Sequence, residues 1–220
     1  MRNIFLVIFL SFALFSENSY EVYADSRNFE LESGDPDVEG NGFGGRAYLF
    51  DDKFMVDISF GNFDQKGPVA GANFPGMTPE WDNEGEVFIL RGEYYVLGEL
   101  SSGALGIVGQ IQEYDIDFSV PAFGQSFSAE STSNDIGFVY RMINDVGFNY
   151  GVGATHSFIE TGDDEDNANF LFVEGDYSFS NGIILRARLS EGFGDFTTGL
   201  VFSIGSVSYT HLRAHETSLH

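Results

Sequence analysis

The sequence predicts an all-β fold: an up-and-down antiparallel transmembrane β-barrel of about ten strands, with eight as the alternative. Three observations predict it. Past the N-terminal segment the apolar residues alternate with polar ones at period two, and helical periodicity is absent. The alternating segments scatter around the roughly 9–11 residues that a tilted strand needs to cross a bilayer. The links between them alternate along the chain, tight and turn-rich on one side, longer and acidic on the other, as the two rims of such a barrel require.

The chain opens with Met1-Arg2-Asn3, and an uncharged, strongly apolar run follows from Ile4 to Phe15. One positive charge ahead of a run this short is the pattern of a secretory signal peptide, and residues 1–18 are read as one. Cleavage is expected between residues 16 and 24. Residues 19–206 then form one domain, the barrel.

Composition narrows the class. There are 34 Asp and Glu against 10 Lys and Arg, for a formal net charge of −24, which excludes a nucleic-acid partner on electrostatic grounds. The 24 Phe and 10 Tyr are too many for a disordered acidic chain. Without Cys, neither disulfides nor thiol chemistry is available.

Ten strands are expected, at roughly 20–31, 42–50, 54–63, 85–97, 104–118, 135–142, 146–159, 170–178, 183–190 and 196–205. Phe54-Met55-Val56-Asp57-Ile58-Ser59-Phe60 shows the pattern well, with two unlike faces. Tight links fall at Asp51-Asp52-Lys53, at Gly98 to Gly103, at Ile143-Asn144-Asp145 and at Phe179-Ser180-Asn181-Gly182. Long acidic links are expected at 32–41, 64–84, 119–134 and 160–169, the second rich in Pro and Gly and a candidate lid or partial plug.

Period two sorts the strand residues into two sets. One holds Phe54, Val56, Ile58, Phe60, Phe88, Leu90, Tyr94, Leu105, Ile107, Ile111, Ile136, Phe138, Tyr140, Leu171, Val173, Tyr177, Leu185, Leu189, Leu200 and Phe202. The other holds Arg46, Asp57, Arg91, Glu93, Gln110, Gln112, Arg141, Asn149, Glu174, Asp176, Arg186 and Arg188, with Ser59. A continuous apolar face suits lipid outside, and an Arg–carboxylate lattice suits a narrow lumen in which an arginine must be paired or hydrated.

Chemical motifs are few. Asp163, Asp164, Glu165 and Asp166 cluster carboxylates of the kind that ligate divalent cations, but their spacing matches no calcium loop, and a solvated acidic rim is the expectation. No metal site or cofactor motif is expected: Gly40-Asn41-Gly42-Phe43-Gly44-Gly45 leads into a strand, not a helix. His156 is the only histidine before residue 207, and its neighbour Ser157 points to the opposite strand face, which argues against a catalytic pair. Trp81 is a lone tryptophan among loop acids.

The second strand, Gly42-Phe43-Gly44-Gly45-Arg46-Ala47-Tyr48-Leu49-Phe50, its Asp51-Asp52-Lys53 turn and the third strand resemble small outer-membrane β-barrel proteins of Gram-negative bacteria, in the broad porin-like and OmpA-like class. That resemblance implies the bacterial outer membrane as location, with outer-membrane lipid, lipopolysaccharide and the barrel assembly machinery as partners. The stretch from Val207 to Thr217 resembles a translated sequencing-library adaptor, so 207–220, with His211, His215 and His220, is set aside as a non-native tail. The expected function is a non-enzymatic envelope protein, structural or a narrow passive conduit for small solutes. The alternatives are a surface-binding barrel whose acidic loops engage divalent cations or a partner, and a rim hydrolase.

Overall fold

A computed structural model of the chain describes residues 19–29, 37–49, 52–69, 78–144, 147–193 and 199–209. The strands are β1 (Ser19–Phe29), β2 (Val38–Leu49), β3 (Phe54–Pro68), β4 (Glu80–Glu99) and β5 (Gly103–Val120), followed by β6 (Gln125–Met142), β7 (Phe148–Thr161), β8 (Asp164–Ser178), β9 (Ile183–Phe193) and β10 (Gly199–Tyr209). Each pairs antiparallel with its sequence neighbours, and β1 pairs with β10 to close the ring. Closure leaves no sheet edge within the ring, the condition a β-structure must meet in lipid.

The apolar set turns outward. Phe138, Ile136, Val173, Phe202 and Leu105 are all exposed, Phe138 to 67%. Arg46, Arg91, Glu93, Arg141, Glu174, Asp176 and Arg186 are buried in the interior. An inside-out distribution of this kind has no stabilising rationale in water, and in a bilayer it places apolar groups against acyl chains.

At one rim the links stay tight. Asp52 takes a left-handed φ of 61°, which a short polar side chain tolerates, and Gly103 takes 105°, with the Tyr140 ring where a side chain would otherwise sit. Inside the barrel, the Tyr23 ring lies over Gly44: a Cβ there would stand 2.6 Å from Tyr23 Cζ. The bare backbone of β2 at this point makes room for a bulky polar group of β1.

The opposite rim differs from expectation. The links expected at 119–134 and 160–169 are mostly strand: β5 and β6 are joined only by a short 3-10 turn at Pro121–Phe123 and left-handed Gly124, and β7 and β8 only by Gly162-Asp163. Strand β4 has 20 residues, and β5 and β6 have 18 each, well beyond a bilayer crossing. The β3–β6 wall therefore projects above the apolar band as a polar sheet. The 64–84 link likewise contracts, with its flanks absorbed into β3 and β4, while its centre lies outside the described residues. Residues 1–18 and 210–220 also lie outside them; Val207, Ser208 and Tyr209 continue β10 opposite Glu21, Tyr20 and Ser19.

Candidate functional site: the lumen lattice and the projecting sheet

Closure brings together side chains far apart in sequence. Arg46 on β2 donates from Nε to Asp57 Oδ2 on β3 at 2.8 Å and from Nη1 to Glu174 Oε1 on β8 at 2.7 Å. Arg141 on β6 donates to the same Glu174 oxygen at 2.9 Å. It also grips Glu93 on β4 with two parallel bonds, Nε to Oε2 and Nη2 to Oε1, each 2.9 Å. Glu93 further accepts from Arg91 Nη2 at 2.5 Å and from the Tyr95 hydroxyl at 2.6 Å. The series Asp57–Arg46–Glu174–Arg141–Glu93–Arg91 crosses the lumen from β2 to β8 and returns through β6 to β4, where Arg91 stands opposite Asp57, and Arg141 and Glu93 are 0% exposed.

Side branches fill what remains. Arg186 on β9 donates to Glu21 on β1 at 2.5 Å and stands 3.8 Å from both Glu174 and Asp176, and Asn149 holds Asp176 at 2.7 Å. Tyr23 donates its hydroxyl to Asp57. Arg91 and Arg188 bring their guanidinium carbons to 4.6 and 4.7 Å from the centre of the Phe172 ring, a cation–π arrangement that adds to the Arg91–Glu93 bond and steadies the Arg188 charge. Gln110 and Gln112 take no part in this lattice. They donate to Asp135 at 2.8 and 3.2 Å, forming with Ser133 a separate cluster on β5 and β6.

Four arginines (46, 91, 141, 186) thus bond or closely approach five carboxylates (21, 57, 93, 174, 176) within the lattice, and Arg188 joins them through the Phe172 ring. Bidentate, charge-assisted bonds of this geometry offset the large cost of taking ions out of water. Beside it an apolar cluster of Met55, Tyr95, Leu100, Ala104, Val108, Val139 and Phe172 packs with Tyr48 and Ile143. Leu100 and Ile143 belong to the tight-turn rim and are tied by an Ile143 N–H to Leu100 carbonyl bond of 2.8 Å. An ionic layer and an apolar floor together occupy the lumen.

Sequence reasoning missed Glu21, Tyr23, Asp25, Arg27 and Asp135 as inward groups. Arg27 donates to both Asp25 oxygens, at 2.7 and 2.9 Å, and to Ser59 at 3.1 Å. The alternation Glu21, Tyr23, Asp25, Arg27 is the available signal, blurred because the facing set Val22, Ala24, Ser26 and Asn28 is barely apolar.

His156 lies on the outer surface, bonded through Nδ1 to Asn169 Oδ1 at 3.0 Å, and Ser157 is buried on the inner one. Asp163 and Asp164 lie at the β7–β8 turn, and Glu165 and Asp166 follow on alternate faces of β8. Among the described residues no three His, Cys, Asp or Glu groups converge to hold a metal ion. Trp81, expected in a loop, is on β4 and stacks on Phe118 with ring centres 6.0 Å apart.

No protein-family model matches the sequence, and no curated protein is similar to it. The fold is similar to solved structures. The translocator domain of autotransporter NalP from Neisseria meningitidis aligns with a TM-score of 0.53 at 12% identity, over 94% of this chain and 93% of that one. The beta domain of the Bordetella autotransporter BrkA aligns at 0.54 and 13% identity, over 86% and 98%. At such identities the likeness speaks to fold alone: this chain is a closed, ten-stranded β-barrel of the outer-membrane type.

Proposed function

We propose that this protein is a non-enzymatic structural barrel of the bacterial outer membrane, sealed to solutes, that holds an acidic polar sheet above the membrane. The observation that carries this reading is the buried ionic series from Asp57 to Arg91, which joins opposite walls through the lumen. Of the two roles expected from sequence, it favours the structural one over the conduit. An ion crossing the barrel would have to break several charge-assisted bonds in a low-dielectric interior, each costly to leave unmade. The separation of His156 from Ser157 supports the non-enzymatic part. Reconstituted into planar bilayers, the intact barrel is expected to give no conductance steps. Steady, reproducible steps would contradict the sealed reading.

A second reading, engagement of divalent cations by the acidic surface, is favoured by strand register. Glu39 stands opposite Asp64, Asp64 opposite Glu84, and Glu84 opposite Asp117; a second row joins Glu86, Asp115 and Glu130. Directly opposed like charges destabilise a sheet, and a shared cation relieves them. Millimolar Mg²⁺ or Ca²⁺ is expected to raise the melting temperature of the micelle-bound barrel, and EDTA to lower it again. An effect no larger than that of NaCl at equal ionic strength would count against cation binding.

A further inference from the structure

Strand β6 is paired on only one side for part of its length. Its contact with β5 runs without a register break from Ala104–Arg141 up to Val120–Gln125. Its contact with β7 begins only at Ser131–Thr161, because β7 turns into β8 at Gly162-Asp163. Residues 125–130, Gln-Ser-Phe-Ser-Ala-Glu, therefore have β5 on one side and, among the described residues, no strand on the other. Alternate residues of such an edge present N–H and C=O groups to a newcomer, over roughly 20 Å at about 3.4 Å per residue.

Natural edges are ordinarily blunted by Lys, Pro or a bulge. The far side of the same projecting sheet is: β3 outruns its pairing with β2 beyond Asp64, and there it carries Lys66 and Pro68. The β6 edge has none of these devices. It is also held rigidly. Phe127, 59% exposed, stacks on Phe118 at 4.9 Å, and Phe118 on Trp81. Ser128 is pinned to the Asp117 carboxylate at 2.5 Å.

The surrounding charge selects the newcomer. Asp115, Asp117, Glu130, Glu160, Asp163 and Asp164 are exposed around this edge, and β5, β7 and β8 contain no Lys or Arg. A second copy of this chain would bring the same carboxylates against them. We propose that the β6 edge at 125–130 is a strand-addition site for an extended, cationic peptide segment, which pairs its backbone with β6 and sets its Lys or Arg side chains among these carboxylates. This inference is independent of whether the lumen conducts.

The test uses the full chain folded in detergent micelles and an acetylated, amidated octapeptide of alternating lysine and valine. Binding is read by titration, and its location by amide hydrogen exchange. The expected result is protection confined to 125–130 and its immediate neighbours. Affinity should fall about tenfold or more when the alternate peptide nitrogens on the edge that faces β6 are methylated, which keeps the charge but removes the backbone donors of that edge, and should hold when the other alternate set is methylated instead. It should fall similarly for the glutamate–valine peptide, and for the Asp117→Asn/Glu130→Gln double variant at low salt. Equal binding by the peptide methylated on the edge that faces β6 would reduce the effect to charge attraction and overturn the proposal. So would absence of binding, protection elsewhere, or protection of 125–130 that appears without peptide as the barrel is concentrated, which would make a second copy the occupant.

Discussion

Replacing Glu174 by alanine is expected to cost the folded barrel about 3–5 kcal/mol, the range found when one partner of a buried ion pair is removed. Glu174 accepts from Arg46 and Arg141 and lies near Arg186, so its loss leaves several guanidinium groups without their shared anion, in a region where the donors are 0–5% exposed. Arginine cannot shed its proton to escape, so the cost falls on the fold. Glu174→Gln keeps the shape and one acceptor and should cost less. Urea unfolding in lipid vesicles, followed by the mobility difference between unheated and boiled samples, measures both. A loss below about 1 kcal/mol for Glu174→Ala would mean that the lattice is solvated like a surface network, and that the lumen is not sealed by it.

The second large effect concerns the outer face. Phe138→Arg is expected to destabilise the membrane-inserted barrel by about 2–4 kcal/mol, since an arginine near the bilayer midplane must be hydrated through the acyl layer. Phe138 lies opposite Ile107 on β5 and Ala154 on β7, well within the apolar band. In a water-soluble barrel the same change, at a residue already 67% exposed, would be neutral or would improve solubility. The two pictures thus differ in sign. Folding yields into vesicles, compared for Phe138→Arg and wild type under the same urea dilution, give the answer.

The parts of this fold that are legible in sequence are those where lipid and lumen impose opposite chemistries on neighbouring residues. On β6, Ile136 to Met142 alternates because Ile136, Phe138 and Tyr140 face outward while Gly137, Val139 and Arg141 face the lumen, where Arg141 bonds Glu93 and Glu174. Residues 125–132 belong to the same strand, yet both of their faces meet water, so the alternation fades and the segment reads as a loop. The same holds for Asp164 to Asn167 on β8 and for Glu80 to Glu84 on β4. Face assignment likewise identifies Arg46 and Glu174 as inward groups. That they meet each other, 128 residues apart, is set by closure and strand stagger, which no local pattern encodes. Gln110 and Gln112 are legible as inward, but their Asp135 partner is the first residue of the strand expected at 135–142, where the alternation only begins.

A barrel of this kind requires that the apolar face meets lipid and the charged face meets the lumen. The chain contains no Cys, so single substitutions can carry a nitroxide label without background. Ile136→Cys, Phe138→Cys, Val139→Cys and Tyr140→Cys, each spin-labelled in reconstituted vesicles, report collision with oxygen, which concentrates in lipid, and with a polar nickel complex, which does not. High oxygen accessibility is predicted at 136, 138 and 140 and low accessibility to both reagents at 139. Accessibility to the nickel complex at 136, 138 and 140, with oxygen peaking at 139 or nowhere, would contradict the inside-out barrel.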